Sequence, residues 1–186
     1  MILIFSVSSA VAADKYNIDA SHSHIGFKVS HMVISKVSGT FHDVSGTLMY
    51  DEAEPTKSTV DITIAVESID TDNKDRDDHL RNEDFFDVAE FPSITFKSKE
   101  IRKTDDGFVA VGDFTIKDKT HKIELPFVIT GQITDPWGNE RIGVEAETEI
   151  DRTNYGLTWN KTLDKGGLVV GNDVEIEISV EFIKAK

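Results

Sequence analysis

Acid–base or metal chemistry in this chain of 186 residues would have to start from its six histidines and one mixed-charge run. His22 and His24 lie two apart, so on a strand they share a face and could both reach one metal ion. No HExxH or comparable spacing supplies the remaining ligands, and the neighbouring Ser21 and Ser23 make a polar strand entrance an equal explanation. His31 shares the parity of Phe27 and Val29, which fits either a satisfied polar group in a pocket or a ligand contact. In Arg76-Asp77-Asp78-His79-Leu80-Arg81 the charges alternate along one short segment. General acid–base catalysis needs two groups poised at one substrate in a cleft, so this pattern favours a structural or lid role. There is no GxSxG elbow, GxGxxG, P-loop or EF-hand pattern. Glu145, Glu147, Glu149, Glu175, Glu177 and Glu181 could collect cations, but a solvated outer face explains them. If their two segments are neighbours, each facing pair costs roughly a few tenths of a kcal/mol.

The elements that would position these residues are strands. In 173–182 every even position is apolar, from Val174 to Phe182, and every odd one polar. That is one dry and one wet face of a strand, which a helix cannot present. Ile142, Val144, Ala146 and Ile150 repeat the pattern, as do Val60, Ile62, Ile64 and Val66, and Phe108, Ala110, Gly112, Phe114 and Ile116. Ile25, Phe27, Val29 and Val33 predict the first long strand, and further strands are predicted near 41–50, 93–101 and 120–133. Pro126 predicts a bulge or an edge in the last of these. About eight sequential strands joined by short turns pair antiparallel, and either a closed barrel or a two-sheet sandwich satisfies the pattern. Residues 73–86 predict a short helix with Asp72 or Asn73 as N-cap. Residues 151–172 predict one long loop.

Composition narrows the function classes. The formal net charge of −14 opposes binding to nucleic acid and electrostatic adsorption to anionic membranes. Any membrane-derived ligand must therefore be extracted into the protein. With no cysteine, disulfides, thiol catalysis and cysteine metal sites are excluded. Residues 1–13 are uncharged and mostly apolar, end in small residues, and are too short to span a bilayer as a helix. They read as a secretory signal peptide ahead of a single domain over 14–186, although no Lys or Arg precedes the apolar stretch.

Aromatics cluster in Phe85, Phe86, Phe91 and Phe96, and fall on strand faces at Phe27, Phe108, Phe114 and Phe127. Such stripes usually fill a core. Small inward positions at Ala110, Gly112 and Ala146, with Gly26 nearby, point instead to an interior with space left in it.

In order along the chain, Tyr16-Asn17-Ile18-Asp19, His22-Ser23, Val37-Ser38-Gly39-Thr40-Phe41, Ser68-Ile69-Asp70-Thr71, Arg76-Asp77, His79-Leu80 and Asp84-Phe85-Phe86-Asp87-Val88 resemble YceI-like proteins. So do Trp137-Gly138, Arg152, Tyr155-Gly156-Leu157 and Gly171-Asn172-Asp173-Val174, with small departures at Asp118, Asn154 and Asn172. The resemblance implies an all-β, eight-stranded antiparallel lipocalin-like barrel, with a short helix and one long loop near its mouth. It also implies a periplasmic protein, often a homodimer, that binds a polyisoprenoid such as a quinone or its prenyl precursor, with no cofactor, no metal and no catalysis. Alternatives are another amphiphile, such as a fatty acid or fatty amide, bound in a stress response, or an enzyme acting on the lipid headgroup. The residues expected to face the ligand are Phe27, Val29, His31, Phe41, Phe85, Phe86, Phe96, Phe114, Ile116 and Trp159. Arg76, His79 and Arg152 are expected to meet a headgroup or to pin the helix and long loop over the tunnel.

Overall fold

The computed structural model describes residues 13–163 and 167–186. The expected signal segment, apart from Ala13, lies outside these residues. Among the described residues no helix is long and apolar enough to cross a membrane.

Three pairs of strands are each one stave of the wall interrupted by a bend: β1 (Asp14–Ile18) with β2 (His24–His31), β3 (Ser35–Phe41) with β4 (Val44–Tyr50), and β5 (Thr59–Ala65) with β6 (Ile69–Asp70). Five more follow unbroken: β7 (Ser93–Lys103), β8 (Phe108–Ile116), β9 (Lys119–Thr134), β10 (Glu140–Asp151) and β11 (Val170–Lys184). The sheet of eleven strands, three of them continuations, is thus eight staves. Each stave pairs antiparallel with the next in sequence, and β11 closes the ring by pairing both β1 (Ile18↔Phe182) and β2 (Ile25↔Ile178). Closure excludes the sandwich and leaves the eight-stranded antiparallel barrel.

The three breaks are neighbours in adjacent staves, so the wall bends there as a unit. Its backbone groups stay paired across the bend: Asp19 N–H donates to Glu181 O at 2.8 Å, His42 N–H to Ser68 O at 3.3 Å and Ala65 N–H to Asp43 O at 2.9 Å. Gly39, opposite Phe27, lets that ring lie across the stave; a Cβ there would come within 2.4 Å of Phe27 Cζ.

Several expectations are corrected. The helix α1 covers only Lys74–Arg81, capped by the Asn73 side chain accepting from Arg76 N–H, and the chain turns out of it at Asn82. Val33 is not an inward strand residue; it is 72% exposed in the β2–β3 turn, with Met32 and Val33 at φ 50 and 64. Strand β1 and most of β3 were not anticipated. Of the two readings of Pro126, the edge holds and the bulge does not. Pro126 lies one residue beyond the last β9–β10 pair, Ala146↔Phe127, where β9 keeps only its β8 neighbour and a missing N–H costs nothing. The register shift in that ladder falls at Gly143/Val144 instead.

Antiparallel alternation brings the β2–β3 turn, α1, the β8–β9 turn and residues 152–163 and 167–169 to one end of the barrel, the capped end. Lys117 Nζ donates to Phe85 O at 3.0 Å and Met32 N–H to Val169 O at 2.8 Å, tying these pieces together. At the base, Arg141 joins Asp19 (2.8 Å), Asp135 (2.9 Å) and Glu181 (2.8 Å).

Candidate ligand-binding cavity

The dry faces of the staves do not fill the barrel. They surround an apolar cavity of about 230 Å³ that extends from Tyr50, Pro55 and Phe108 near the base to Leu80, Phe85, Phe86 and Leu157 under the cap. The period-two sets in β10 and β11 supply one wall, with Ile142, Val144, Ala146 and Ile150 beside Val174, Ile176, Ile178, Val180 and Phe182. Ala110, Ala146 and Gly26 line it as small residues should if space is to remain. Gly112 does not: it sits against the β7 backbone, where a Cβ would approach Lys97 O to 2.4 Å. Ser58 and Thr148 add hydroxyls, and among the described residues Arg152 is the one charged side chain in the lining.

Of the residues expected to face a ligand, the structure places Phe27, Val29, Phe41, Phe85, Phe86, Phe96, Phe114, Ile116 and Arg152 on the cavity wall. Phe96 and Phe114 are direct cross-strand partners in β7 and β8. His31, Arg76, His79 and Trp159 are placed elsewhere. His31 keeps the parity of Val29 in an unbroken β2–β3 ladder, but it is the last residue of β2, paired with Ser35 beside the turn, and lies outside the cavity lining. Arg76 points back along its own segment, donating from Nε to Thr71 Oγ1 at 2.7 Å and from Nη2 to Thr71 O at 2.6 Å. The buried Asp77 accepts from the same threonine's N–H at 2.9 Å and from its hydroxyl. Arg81 adds a bond from Nη2 to Ile69 O at 2.7 Å. These contacts stitch α1 to the end of β6.

His79 and Trp159 form a layer of the cap. The His79 ring meets Phe85 at 5.0 Å and Trp159 at 4.9 Å, both edge to face, and its Nε2 lies 3.0 Å from Asp84 Oδ2. Within the mixed-charge run, His79 thus engages Asp84 while Asp77 engages Thr71. His22 is held by Asp19 at 2.9 Å and His24 lies 3.4 Å from Thr40 Oγ1, so these two histidines do not converge on one metal position. Asp19, His22 and Glu181 do lie close together, but Arg141 bridges the two carboxylates.

Arg152 is 3% exposed and forms no ion pair among the described residues. Its guanidinium instead donates to backbone carbonyls: Nε to Gly171 O at 2.7 Å, Nη1 to Leu157 O, and Nη2 to Trp159 O at 3.1 Å and Val170 O at 3.4 Å. The β11 bulge around Gly171 frees one of these carbonyls from the ladder. Burial pulls the Arg152 pKa down and nearby Asp151 opposes the shift. Asp151 itself caps the 3-10 turn Arg152–Tyr155 by accepting from Thr153 N–H at 2.8 Å. One side chain thus ties both ends of the 152–171 segment together at the rim of the cavity.

The sequence reading missed Leu80 and Leu157 in the roof and Ile123, Leu125, Phe127 and Ile129 in the β9 wall. The β9 set alternates and was open to the same parity argument. Leu80 sits near the end of an eight-residue helix and Leu157 follows a 3-10 turn, and neither stretch is long enough for a period to mark an inward side chain.

The family model described as "YceI-like domain" matches residues 16–182. A relative in Yersinia pestis (strain Pestoides F), described as a UPF0312 protein, is 38% identical over 186 residues, 99% of this chain and 93% of that one. Among solved structures, Burkholderia cenocepacia BcnA superposes with a TM-score of 0.77 at 21% identity, covering 88% of this chain and 98% of that one. A polyisoprenoid binding domain from Saccharophagus degradans, implicated in plant cell wall breakdown, superposes with a TM-score of 0.62 at 16% identity, covering 91% and 98%. At these identities the two structural likenesses speak to the fold.

Proposed function

Because this chain belongs to the YceI-like family, we propose that its barrel carries or stores a long-chain polyisoprenoid, such as a prenylated quinone or its precursor, in the periplasm. The observation that carries this reading is the cavity itself: hydrocarbon along the length of the barrel and one buried cation at one end. A linear apolar chain with a polar terminus fits that distribution, with its tail toward the base and its head under the cap. Burial contributes about 0.8 kcal/mol per methylene-sized group, so a few prenyl units supply several kcal/mol before the cost of ordering the chain. A domain from Saccharophagus degradans that shares the fold is described as polyisoprenoid binding, which is in keeping with this ligand class.

Under this reading the protein performs no bond chemistry. It removes a water-insoluble chain from water, and the cap of α1 and residues 152–163 governs exchange. The charge of Arg152 favours a second ligand class, an amphiphile with an acidic end such as a fatty acid. Extraction of the purified protein with organic solvent, followed by mass analysis of the extract, separates the two: a prenyl series supports the first reading, a free carboxylic acid the second. An extract with no lipid stoichiometric with protein overturns both.

A further inference from the structure

We propose that the β2–β3 turn, Met32-Val33-Ile34, is a docking point that enters the surface of an uncharged phospholipid bilayer while lipid is exchanged. The proposal rests on the lipid-carrier reading above. Three consecutive apolar side chains stand 40%, 72% and 86% exposed at this turn, with Leu168 beside them at 40%. Among the described residues, the remaining large exposed apolar ones, Met49, Val128, Ile133 and Trp137, lie on other parts of the barrel.

Backbone geometry adds to the case. Met32 and Val33 occupy the left-handed region, where turn chemistry favours Asn, Asp or Gly and disfavours a β-branched residue. A strained, solvent-facing valine is poorly explained by folding alone, and strain of this kind gathers at functional segments. The location fits as well. Met32 N–H donates to Val169 O, and the next carbonyl, Val170 O, accepts from Arg152. The tip is therefore joined to the segment that roofs the cavity.

The shape and charge select the occupant. A point of three or four side chains is far smaller than the roughly 800 Å² per partner of a stable protein interface, but it suits insertion between lipid headgroups. The net charge of −14 opposes anionic surfaces, and the nearby Lys36 is engaged by Glu175. A zwitterionic surface met through hydrocarbon is the remaining match.

The test uses the full chain and a Val33→Asn/Ile34→Ser variant, since Asn is at ease in the left-handed region and the fold should survive. Flotation with phosphatidylcholine vesicles reads docking. The native chain is expected to float, and the variant to bind about tenfold more weakly, with an undiminished melting temperature. A native chain that stays with the soluble fraction, or a variant that floats equally, overturns the proposal. Uptake of a fluorescent prenylquinone analogue from dilute solution without vesicles reads the cavity separately. Failure of that uptake overturns the carrier reading, whereas normal uptake with failed flotation overturns docking alone.

Discussion

The ring of Trp159 meets His79 edge to face at 4.9 Å, which joins the long 152–169 segment to helix α1 above the cavity. Both rings also contact Phe85, itself a cavity-wall residue. The cap is one aromatic layer built from two distant parts of the chain. Such pairs contribute about 0.5–1.5 kcal/mol each beyond their burial. Trp159→Ala is therefore expected to release bound lipid several-fold faster while lowering stability by only about 1–2 kcal/mol. A displacement assay with excess competitor measures the release. An unchanged rate in a destabilised variant would make the layer purely structural.

Arg152 satisfies four carbonyls of the 157–171 segment from inside the protein. Arg152→Met keeps most of the volume but leaves those acceptors unpaired, each costing about 1 kcal/mol or more. A loss of roughly 3–5 kcal/mol is expected in urea unfolding. Arg152→Lys should restore little of it, because an ammonium cannot span the guanidinium's planar fork. Full rescue by lysine would show that charge, not the fork, holds the segment.

Ala146 faces the cavity with neighbours on both flanking staves. Filling a void differs from overpacking a full core. Ala146→Phe is expected to block lipid uptake with little or no loss in melting temperature. Phe96→Ala and Phe114→Ala act in the opposite sense: they widen the tunnel at one facing pair and should weaken retention without unfolding the barrel. Retention of the native lipid by all three variants would place it outside the cavity.

Acid should weaken the base of the barrel first. Hydrogen bonds from Ser21, Arg141 and His22 hold the Asp19 carboxyl well below the usual carboxylate range, and bonds from Asn139, Arg141 and Trp137 do the same for Asp135. A carboxylate with a depressed folded pKa binds fewer protons folded than unfolded, so its contribution is complete above the unfolded value, about pH 4. It is lost as pH falls through the folded value. Between pH 7 and pH 3 the native chain is expected to lose melting temperature more steeply than Arg141→Gln, the two curves converging in acid. Parallel curves would remove Arg141 from the acid response.

Most of the wall was legible because solvent and hydrocarbon impose period two on any strand between them. Val174 through Phe182 and Ile142 through Ile150 alternate in the sequence and face the cavity. Legibility ended where the ladder did. His31 follows the parity of Val29 but is the last residue of its strand, outside the cavity lining, and Val33 occupies a turn whose φ its side chain disfavours, so neither position carried a local signal. The cap was harder still. Arg152 is fixed by carbonyls, which are the same at every residue, and its partners span 157 to 171. Arg76 and His79 carry the polar groups of headgroup ligands, yet Thr71 and Asp84 already engage them.

Native mass spectrometry of the chain purified without detergent from the cell that produces it, beside Ala146→Phe prepared in parallel, decides whether the hollow of the barrel is a lipid site. The native chain should carry an added mass that spaces in prenyl units and disappears in the variant. A bare native chain, or the same added mass on both, would contradict it.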